Sequence, residues 1–333
     1  MREPIDVLLV GLGVVGREAA QAILGRPGLR LVGAVDADPA KVGRDLGEIL
    51  GLSRRLDLPV AADLREALRR LKVEIAVHCV NTLLDEAVEQ LEPLIEAGVD
   101  VVSVNEQLGN AHAANPTLAD RIDHLARAAG VTILGTGTTP GFTSDYLILA
   151  LTAACRDVRC IRYRRTSDVR PYLGGVVGRH FGLGLSQAAF DRGLAKGEIL
   201  GHVGFIESAH TLAARLGWRF DALERAVVPR YDATGRFLAT VTSVRGIVAG
   251  AERLALEMIA SVDETAERSD HIEIDATPPV DMTIRPQVPS VPVTANAAVN
   301  AIPHVMNAAP GLMTPGDLPL VHALDYDART LLR

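Results

Sequence analysis

Apolar runs of four to seven residues alternate with amphipathic stretches along the first 135 residues of the chain. The runs are rich in β-branched residues and predict strands at 5–10, 29–35, 74–79, 99–104 and 131–134. Apolar positions at helical spacing predict helices that end near 24, begin at 39, and span 83–97 and 118–129. Strands that alternate with helices are typical of a parallel, doubly wound sheet.

The pattern changes near Pro140. One long apolar helix is predicted over 142–155, and strands with alternating faces follow, for example at 254–258. Two further helices are predicted, one opening at Ser186 and one over 207–216. This half of the chain therefore has the pattern of an α+β domain.

The C-terminal part contains prolines at short intervals over 278–292, which predict extended connections, and a last helix over 294–308 that is expected to pack back on the first domain. We therefore predict an α/β protein with a Rossmann-type parallel sheet and a second α+β domain that has a mixed or antiparallel sheet. The predicted divisions are a dinucleotide-binding domain at 1–140, a substrate and dimerisation domain at 141–293, and a C-terminal helix and tail at 294–333.

Composition excludes several classes of protein. Hydrophobic residues make up 48% of the chain and charged residues 23%, which fits a folded protein rather than a disordered one. The net charge of −7, without a stripe of cations, argues against nucleic acid as a partner. Apolar stretches are interrupted before the roughly 18 residues of a membrane span. Three cysteines (Cys79, Cys155 and Cys160) without a CxxC pair predict no metal site and suit a reducing cytoplasm.

A glycine motif directly follows the first predicted strand, with the sequence Gly11-Leu12-Gly13-Val14-Val15-Gly16. Gly11 permits a tight turn, Gly13 lets the backbone approach a pyrophosphate, and Gly16 lets helix and strand pack closely. The helix that follows offers free N–H groups to phosphates. Asp36 ends the next strand, so strand, helix and acid together predict a dinucleotide site.

The acid also bears on the choice of coenzyme. Asp36 should accept hydrogen bonds from the adenosine ribose and repel a 2′-phosphate, which favours NAD over NADP, and Asp38 adds negative charge. Lys41 and Arg44 are close enough in sequence to reach a phosphate, although a solvated helix face is the preferred interpretation for both. Use of both coenzymes stays open.

Beyond this motif, nearly the whole chain resembles the 2,4-diaminopentanoate dehydrogenase and native amine dehydrogenase family, which is similar in plan to dihydrodipicolinate reductases. The matching segments are 32–43, 135–142, 201–208, 300–303 and 310–312. Two positions depart from the family pattern: Thr139, where Asn is frequent near the nicotinamide carboxamide, and Gln107 after Glu106, where a Glu-Glu pair is frequent. The resemblance implies hydride transfer between an amine and a nicotinamide coenzyme.

Glu106 is the candidate catalytic residue. It lies two residues past the strand predicted at 99–104, so its carboxylate should project from the carboxyl end of the sheet, where ligands bind in such folds. The resemblance implies that it holds ammonia or the substrate amine and transfers protons. Its alternative role is that of a solvated loop glutamate.

Other candidates are expected near the ligands. Asn81 and Thr82 follow the strand at 74–79 and are expected, with Thr139, to contact the coenzyme; the alternative is an ordinary Asx turn that starts the helix at Leu83. Five residues are candidates for the substrate pocket: Phe142, Tyr172, His180, His202 and Asn300. The alternatives are a mobile surface loop for Tyr172 and His180, a structural role for His202 and a cap before Pro303 for Asn300.

We therefore predict a cytoplasmic NAD(P)-dependent amine dehydrogenase that prefers NADH, with NADP left open as a second coenzyme. It would interconvert a ketone or aldehyde plus ammonia with a primary amine, as a homodimer without a metal, and with neither nucleic acid nor membrane as a partner. Two alternatives are a 2,4-diaminopentanoate or other amino-acid dehydrogenase, and a protein that senses dinucleotides without turnover.

Overall fold

The computed structural model describes residues 3–173 and 176–332. They form two compact units: unit 1 contains the residues up to 142 and from 290 onward, and unit 2 contains residues 143–289. The elements are, in chain order, β1 (Ile5–Val10), α1 (Val14–Leu24), β2 (Leu29–Val35), α2 (Leu46–Ile49), α3 (Leu64–Arg70), β3 (Ile75–His78), α4 (Leu84–Glu96), β4 (Asp100–Ser103), α5 (Ala111–Ala114), α6 (Pro116–Ala129), β5 (Thr132–Gly135), α7 (Leu147–Thr152), β6 (Arg156–Asp168), α8 (Val176–His180), α9 (Gln187–Ala195), α10 (Phe205–Leu216), β7 (Ala222–Tyr231), β8 (Phe237–Val248), β9 (Ala251–Ser261), β10 (Ser269–Thr277), β11 (Val280–Ile284), α11 (Ser290–Met306) and β12 (Gly311–Met313).

Unit 1 is built on a six-stranded sheet in the order β12-β5-β4-β3-β1-β2, with every neighbouring pair parallel. β2 lies on one side of β1 and β3 on the other, so the chain reverses its direction of travel between β1 and β3. Loops that leave such a switch point separate from each other and create a crevice at the carboxyl ends of the strands. The predicted parallel, doubly wound sheet is confirmed.

Apolar side chains cover both faces of this sheet. On one face Ala19 and Ile23 of α1 and Ile302 of α11 pack with the strands, and on the other Leu91 of α4 and Ile122 of α6 do so. Parallel strands buried on two faces are mostly apolar, and all six residues of β1 are buried, with Asp6 as its one polar residue. This is why the sequence pattern located these strands well.

Local signals explain where the helices of unit 1 begin and end. Asn115 caps α6 through a hydrogen bond from the Leu118 N–H at 3.2 Å, Pro116 occupies the first turn, and Gly130 ends the helix with a φ of +75°. The predicted helix from Pro39 is wrong. Its residues form a turn in which Asp38 accepts a hydrogen bond from the Ala40 N–H at 2.9 Å, so a turn competes successfully with the helix.

Unit 2 is built on a mixed sheet in the order β11-β10-β6-β9-β8-β7, in which only β6 and β9 form a parallel pair. Ile161, Leu256 and Ile272 lie on its buried face and pack with Phe205 and Leu212 of α10. The prediction of a mixed or antiparallel sheet is confirmed.

Two predictions for this part of the chain are wrong in detail. The helix expected over 142–155 begins as a π-helix up to Tyr146, continues as α7 and ends three residues early, at Thr152. The stretch at 278–292 is not only a connection, because β11 pairs with β10 in it and α11 begins at Ser290. Pro278 lies just before this edge strand, a position where proline disrupts no ladder hydrogen bond.

Candidate functional site

The glycine-rich loop between β1 and α1 lies at the switch point of the sheet. Gly11 has a φ of +93°, and a Cβ atom there would lie 2.7 Å from the carbonyl oxygen of Cys79. A Cβ atom on Gly16 would lie 1.9 Å from the carbonyl oxygen of Gly11, so neither position accepts a side chain. At Gly13 no atom of the described residues lies within 4 Å of the Cβ position, which leaves the backbone open to a ligand.

α1 begins at this loop, with Gly13 as its N-cap and no side-chain cap in the described part of the chain. The N–H groups of its first turn therefore remain free for an anion such as a pyrophosphate. Leu12 and Gly16 are buried, Val15 is half-buried, and Val14 is exposed. The loop thus offers backbone groups rather than polar side chains to a ligand, and the residues present fit a dinucleotide.

Asp36 lies just past β2, beside the glycine loop. Its Oδ2 accepts hydrogen bonds from the Leu12 N–H at 2.7 Å and the Lys41 ammonium at 3.1 Å, and its Oδ1 accepts one from the Asp38 N–H at 2.8 Å. Partial burial by itself would raise the pKa of Asp36, but the hydrogen bonds from Asp38, Leu12 and Lys41 lower it below its ordinary value. The carboxylate is therefore held ionised at the ribose end of the predicted site.

The predicted solvated helix face around Lys41 is wrong. No helix forms there, and the Lys41 side chain is 22% exposed because it lies against Asp36 and Asp38. Arg44 is half-exposed and pairs with Glu48 at 2.7 Å. Of these two cations, only Lys41 contacts the acid of the dinucleotide motif.

The loop after β3 carries Asn81 and Thr82. Asn81 has a φ of +59°, and its Nδ2 donates hydrogen bonds to the Glu86 carbonyl at 2.9 Å and to Gln90 Oε1 at 3.4 Å. Its amide nitrogen therefore contacts the first turns of α4. The hydroxyl of Thr82 instead lowers the pKa of the Glu106 carboxyl.

Glu106 follows β4 and is only partly exposed. Burial raises the pKa of its carboxyl to about 7, although hydrogen bonds from its own N–H and from the Thr82 hydroxyl oppose part of this shift. A carboxyl with a pKa near 7 is divided between its acid and its carboxylate at neutral pH. It can therefore both donate and accept a proton there.

The two neighbours of Glu106 hold this loop against the loop after β3. Asn105 Nδ2 donates to the Leu83 carbonyl at 3.0 Å, and Gln107 Oε1 accepts the Leu84 N–H at 2.7 Å. Gln107 thereby caps α4 through its amide oxygen. Both contacts fix Glu106 between them.

The loop after β5 packs on the turn that follows Glu106. A Cβ atom on Gly109 would lie 2.7 Å from Pro140 Cβ, so Pro140 and Thr139 lie next to this turn. Phe142, at the end of the same loop, is 36% exposed. Asn300 lies on α11, and its Oδ1 is buried without a hydrogen-bond partner among the described residues.

The carboxyl edge of the unit 1 sheet thus brings together predicted residues from five successive strands. They are the glycine loop after β1, Asp36 after β2, Thr82 after β3, Glu106 after β4 and Thr139 after β5. The remaining pocket candidates lie in unit 2.

The unit 2 candidates share one neighbourhood. Burial raises the pKa of Tyr172, and the charge of Arg165 opposes this shift. Burial lowers the pKa of His202 to about 3, and the charge of Arg165 lowers it as well. The His180 carbonyl accepts the Gly201 N–H at 2.9 Å, next to His202. His202 is buried against Phe205, and its Nε2 has no hydrogen-bond partner in the described ranges.

Arg165 itself was not predicted. It is completely buried, and its guanidinium donates to Asp270 Oδ1 and to the Val288 carbonyl, both at 2.6 Å. Tyr163 donates to the same Asp270 oxygen at 2.7 Å. Alternation along β6 places Ile161, Tyr163 and Arg165 on one face, so strand parity was a signal for an inward arginine.

Other kinds of site find no support in the described residues. Among residues 3–173 and 176–332, no group of three His, Cys, Asp or Glu side chains is arranged to hold a metal ion. In the same part of the chain, no helix has the length and hydrophobicity needed to cross a membrane.

Two family models match this chain. The model of the 2,4-diaminopentanoate dehydrogenase C-terminal domain matches residues 142–333, and that of the dihydrodipicolinate reductase N-terminus matches residues 5–104. The matches confirm the resemblance inferred from the sequence segments.

Individual proteins agree with these models. A 2,4-diaminopentanoate dehydrogenase from Acetoanaerobium sticklandii is 28% identical, with 99% of this chain and 98% of the relative covered. An amine dehydrogenase from Streptomyces virginiae is 25% identical, with coverages of 96% and 98%. The structure of amine dehydrogenase from Mycobacterium smegmatis superposes with a TM-score of 0.86 at 26% identity, covering 96% of this chain and 97% of that one. The chain therefore belongs to the family of 2,4-diaminopentanoate and amine dehydrogenases, with an N-terminal domain of the dihydrodipicolinate reductase type.

Proposed function

We propose that the protein is an NAD(P)-dependent amine dehydrogenase that interconverts a ketone or aldehyde plus ammonia with a primary amine. The observation that carries the proposal is Glu106, a carboxyl with a pKa raised to about 7 at the carboxyl edge of a dinucleotide-binding sheet. A protein that only senses dinucleotides has no need of an acid–base group there.

The coenzyme site follows from the chain's own groups. The backbone from Gly11 to Gly16 would hold the pyrophosphate, and Asp36 would accept a hydrogen bond from the ribose. Thr139, on the loop next to Glu106, would contact the nicotinamide end. A bound nicotinamide supplies or takes up the hydride. We propose that NADH binds at least as well as NADPH, because the carboxylates of Asp36 and Asp38 disfavour a 2′-phosphate.

Glu106 would act at each step of the reductive direction. Its carboxylate takes a proton from ammonium, and the ammonia released adds to the carbonyl carbon to give a carbinolamine. Its acid form then protonates the hydroxyl, which leaves as water while the nitrogen lone pair forms the C=N bond of an iminium ion. The resulting carboxylate stabilises this cation until hydride reduces it to the amine.

The surroundings of Arg165 favour simple amines over diamino acids. Tyr172, His180 and His202 are the unit 2 candidates for contact with the substrate, and Phe142 and Asn300 are the unit 1 candidates. A diamino acid would require a cation for its carboxylate, but Arg165 is bound to Asp270 in this neighbourhood. Arg225 likewise donates to the carbonyls of Leu200 and His202.

A second candidate is a 2,4-diaminopentanoate dehydrogenase. The 28% identity over nearly the full length of the relative from Acetoanaerobium sticklandii favours it. The two functions differ in one measurable property, since a diaminopentanoate dehydrogenase would oxidise a diamino acid with a higher kcat/KM than simple primary amines.

The test follows NADH absorbance with a panel of ketones and aldehydes plus ammonium, and NAD reduction with primary amines and diamino acids. Glu106→Ala should lower kcat by ~10² to 10⁴, the usual effect of losing a positioned acid–base group. Coenzyme affinity, measured by fluorescence titration, should change little because Gly11 to Gly16 and Asp36 lie on other loops.

Glu89→Ala is the matched control, because Glu89 is exposed on α4 and takes no part in the site. It should retain wild-type turnover. Near-wild-type kcat in Glu106→Ala would exclude Glu106 from catalysis, and absence of turnover on the whole panel would favour the sensor.

A further inference from the structure

At the ribose end of the proposed dinucleotide site, the ammonium of Lys41 contacts Asp36, although a carboxylate alone can bind the ribose hydroxyl groups. An ionised carboxylate has about four acceptor positions. Three positions of Asp36 are used by the Leu12 N–H, the Asp38 N–H and the Lys41 ammonium. Only one position is left for a ribose hydroxyl while Lys41 stays in place.

Lys41 lies between two carboxylates. Its Nζ is 3.1 Å from Asp36 Oδ2 and 3.4 Å from Asp38 Oδ2, and its own N–H donates to the Asp38 carbonyl at 2.9 Å. The backbone bond fixes the base of the side chain, while the ammonium can release Asp36 and keep Asp38. The long lysine side chain has enough rotatable bonds for this movement.

Arg44 is arranged differently. Its guanidinium donates to Glu48 Oε1 at 2.7 Å and to the Ala40 carbonyl at 3.2 Å, and its side chain is 48% exposed. Neither contact involves Asp36. Arg44 therefore serves as an internal comparison for the cation that does contact it.

We propose that Lys41 is the residue that lets this site accept both NAD and NADP. With NADP, the ammonium moves from Asp36 to the 2′-phosphate and neutralises part of its charge, which the two carboxylates would otherwise repel. With NAD, it stays with Asp38, and the position vacated on Asp36 accepts the second ribose hydroxyl. The choice of coenzyme thus depends on the balance between Lys41 and two aspartates.

This inference rests on the dinucleotide-binding part of the proposed function and not on its amine chemistry. Binding can be measured without turnover, so a failure of the amine reaction would leave it untouched. The probes are NADH and NADPH, followed by fluorescence. A second pair, 5′-AMP and adenosine 2′,5′-bisphosphate, followed by calorimetry, isolates the ribose end from the nicotinamide.

Lys41→Met should raise the Kd for NADPH by about tenfold, the effect of losing one partly buried charge-assisted contact, with NADH changed less than about twofold. The Kd for adenosine 2′,5′-bisphosphate should rise in the same way, whereas the Kd for 5′-AMP should not. Lys41→Arg should preserve the wild-type ratio of the two coenzyme affinities, because it keeps the charge. Arg44→Met should leave the ratio unchanged.

Three results would overturn the proposal. An unchanged NADPH-to-NADH ratio in Lys41→Met would show that Lys41 does not contact the phosphate. An equal loss of affinity for both coenzymes would show that Lys41 only maintains the conformation of the loop. A larger change of the ratio in Arg44→Met than in Lys41→Met would assign the role to the other cation.

Discussion

Two carboxyl groups at the same sheet edge of unit 1 have opposite pKa shifts. Asp36 accepts three hydrogen bonds, and these outweigh its partial burial and lower its pKa. At Glu106 burial outweighs the hydrogen bonds and raises the pKa to about 7. A permanent anion suits the binding of hydroxyl groups, whereas a carboxyl that titrates near neutrality suits proton transfer. The residue environment, not the residue type, therefore separates the two proposed roles.

The raised pKa of Glu106 predicts a pH-dependent stability. Between its ordinary value of 4.5 and about 7, the folded protein keeps a proton on Glu106 that the unfolded chain has lost. Folding stability from this group is therefore fully present below 4.5 and is lost as the pH rises to about 7. The loss should be roughly 1–3 kcal/mol for this partly exposed group.

The measurement compares wild type with Glu106→Gln, which cannot ionise. Their difference in free energy of unfolding should increase from pH 4.5 to pH 7 in favour of the variant and then become constant. Glu89→Gln should show no such trend. Parallel stability curves for wild type and Glu106→Gln would mean that Glu106 titrates like an exposed glutamate.

At the scale of elements, β6 carries an ion pair on each face of the unit 2 sheet. On one face, Arg165 Nη1 lies 2.6 Å from Asp270 Oδ1, and the two side chains are 0% and 1% exposed. On the other face, Arg164 Nε lies 2.7 Å from Glu257 Oε1, and the two side chains are 61% and 26% exposed. Asp270 Oδ2 also accepts the Val288 N–H at 2.9 Å. The buried pair thus links β6 and β10 to each other and to the backbone of Val288, near the end of unit 2.

Asp270→Asn should destabilise the protein by about 3–5 kcal/mol, because it leaves the buried charge of Arg165 without its partner. Glu257→Gln breaks the more exposed pair with Arg164 on the other face of β6 and should cost only about 0–1 kcal/mol. Chemical denaturation, followed by circular dichroism, measures both. Equal effects of the two substitutions would contradict a dominant buried pair.

At the scale of the whole molecule, each unit has its own sheet and its own apolar core. The chain passes between the units after residue 142 and returns at residue 290. The proposed chemistry requires only groups of the chain and a nicotinamide coenzyme. The histidines and cysteines of the described ranges form no cluster that could hold a metal ion.

Prolonged treatment with a chelator should therefore leave turnover unchanged. A nicotinamide transfers hydride without a metal, and Glu106 is proposed to supply the acid–base chemistry. Turnover is measured before and after dialysis against the chelator, with metal-free buffer as the control. Activity that disappears on chelation and returns with added zinc would contradict this prediction.

The sequence by itself determined the parallel part of the fold and the position of the glycine loop. β1 and β2 have the predicted bounds because both are mostly apolar, with Asp6 and Arg30 as their polar residues. Glycine positions 11 and 16 were identifiable because only glycine fits such close backbone contacts. The position of Glu106 shortly after a predicted strand was likewise enough to predict that it lies at the carboxyl edge of the sheet.

Only the tertiary structure decided the features that depend on partners distant in the sequence. β12 has three residues and exists because Gly311 to Met313 pair with Thr132 to Leu134. Lys41 was expected on a solvated helix face, but Asp36 and Asp38 bind it in a turn. Arg165 can be buried because Asp270, on another strand, compensates its charge and offsets the free-energy cost of its desolvation. Local propensity cannot anticipate such contacts, because their free energy comes from groups that meet only after folding.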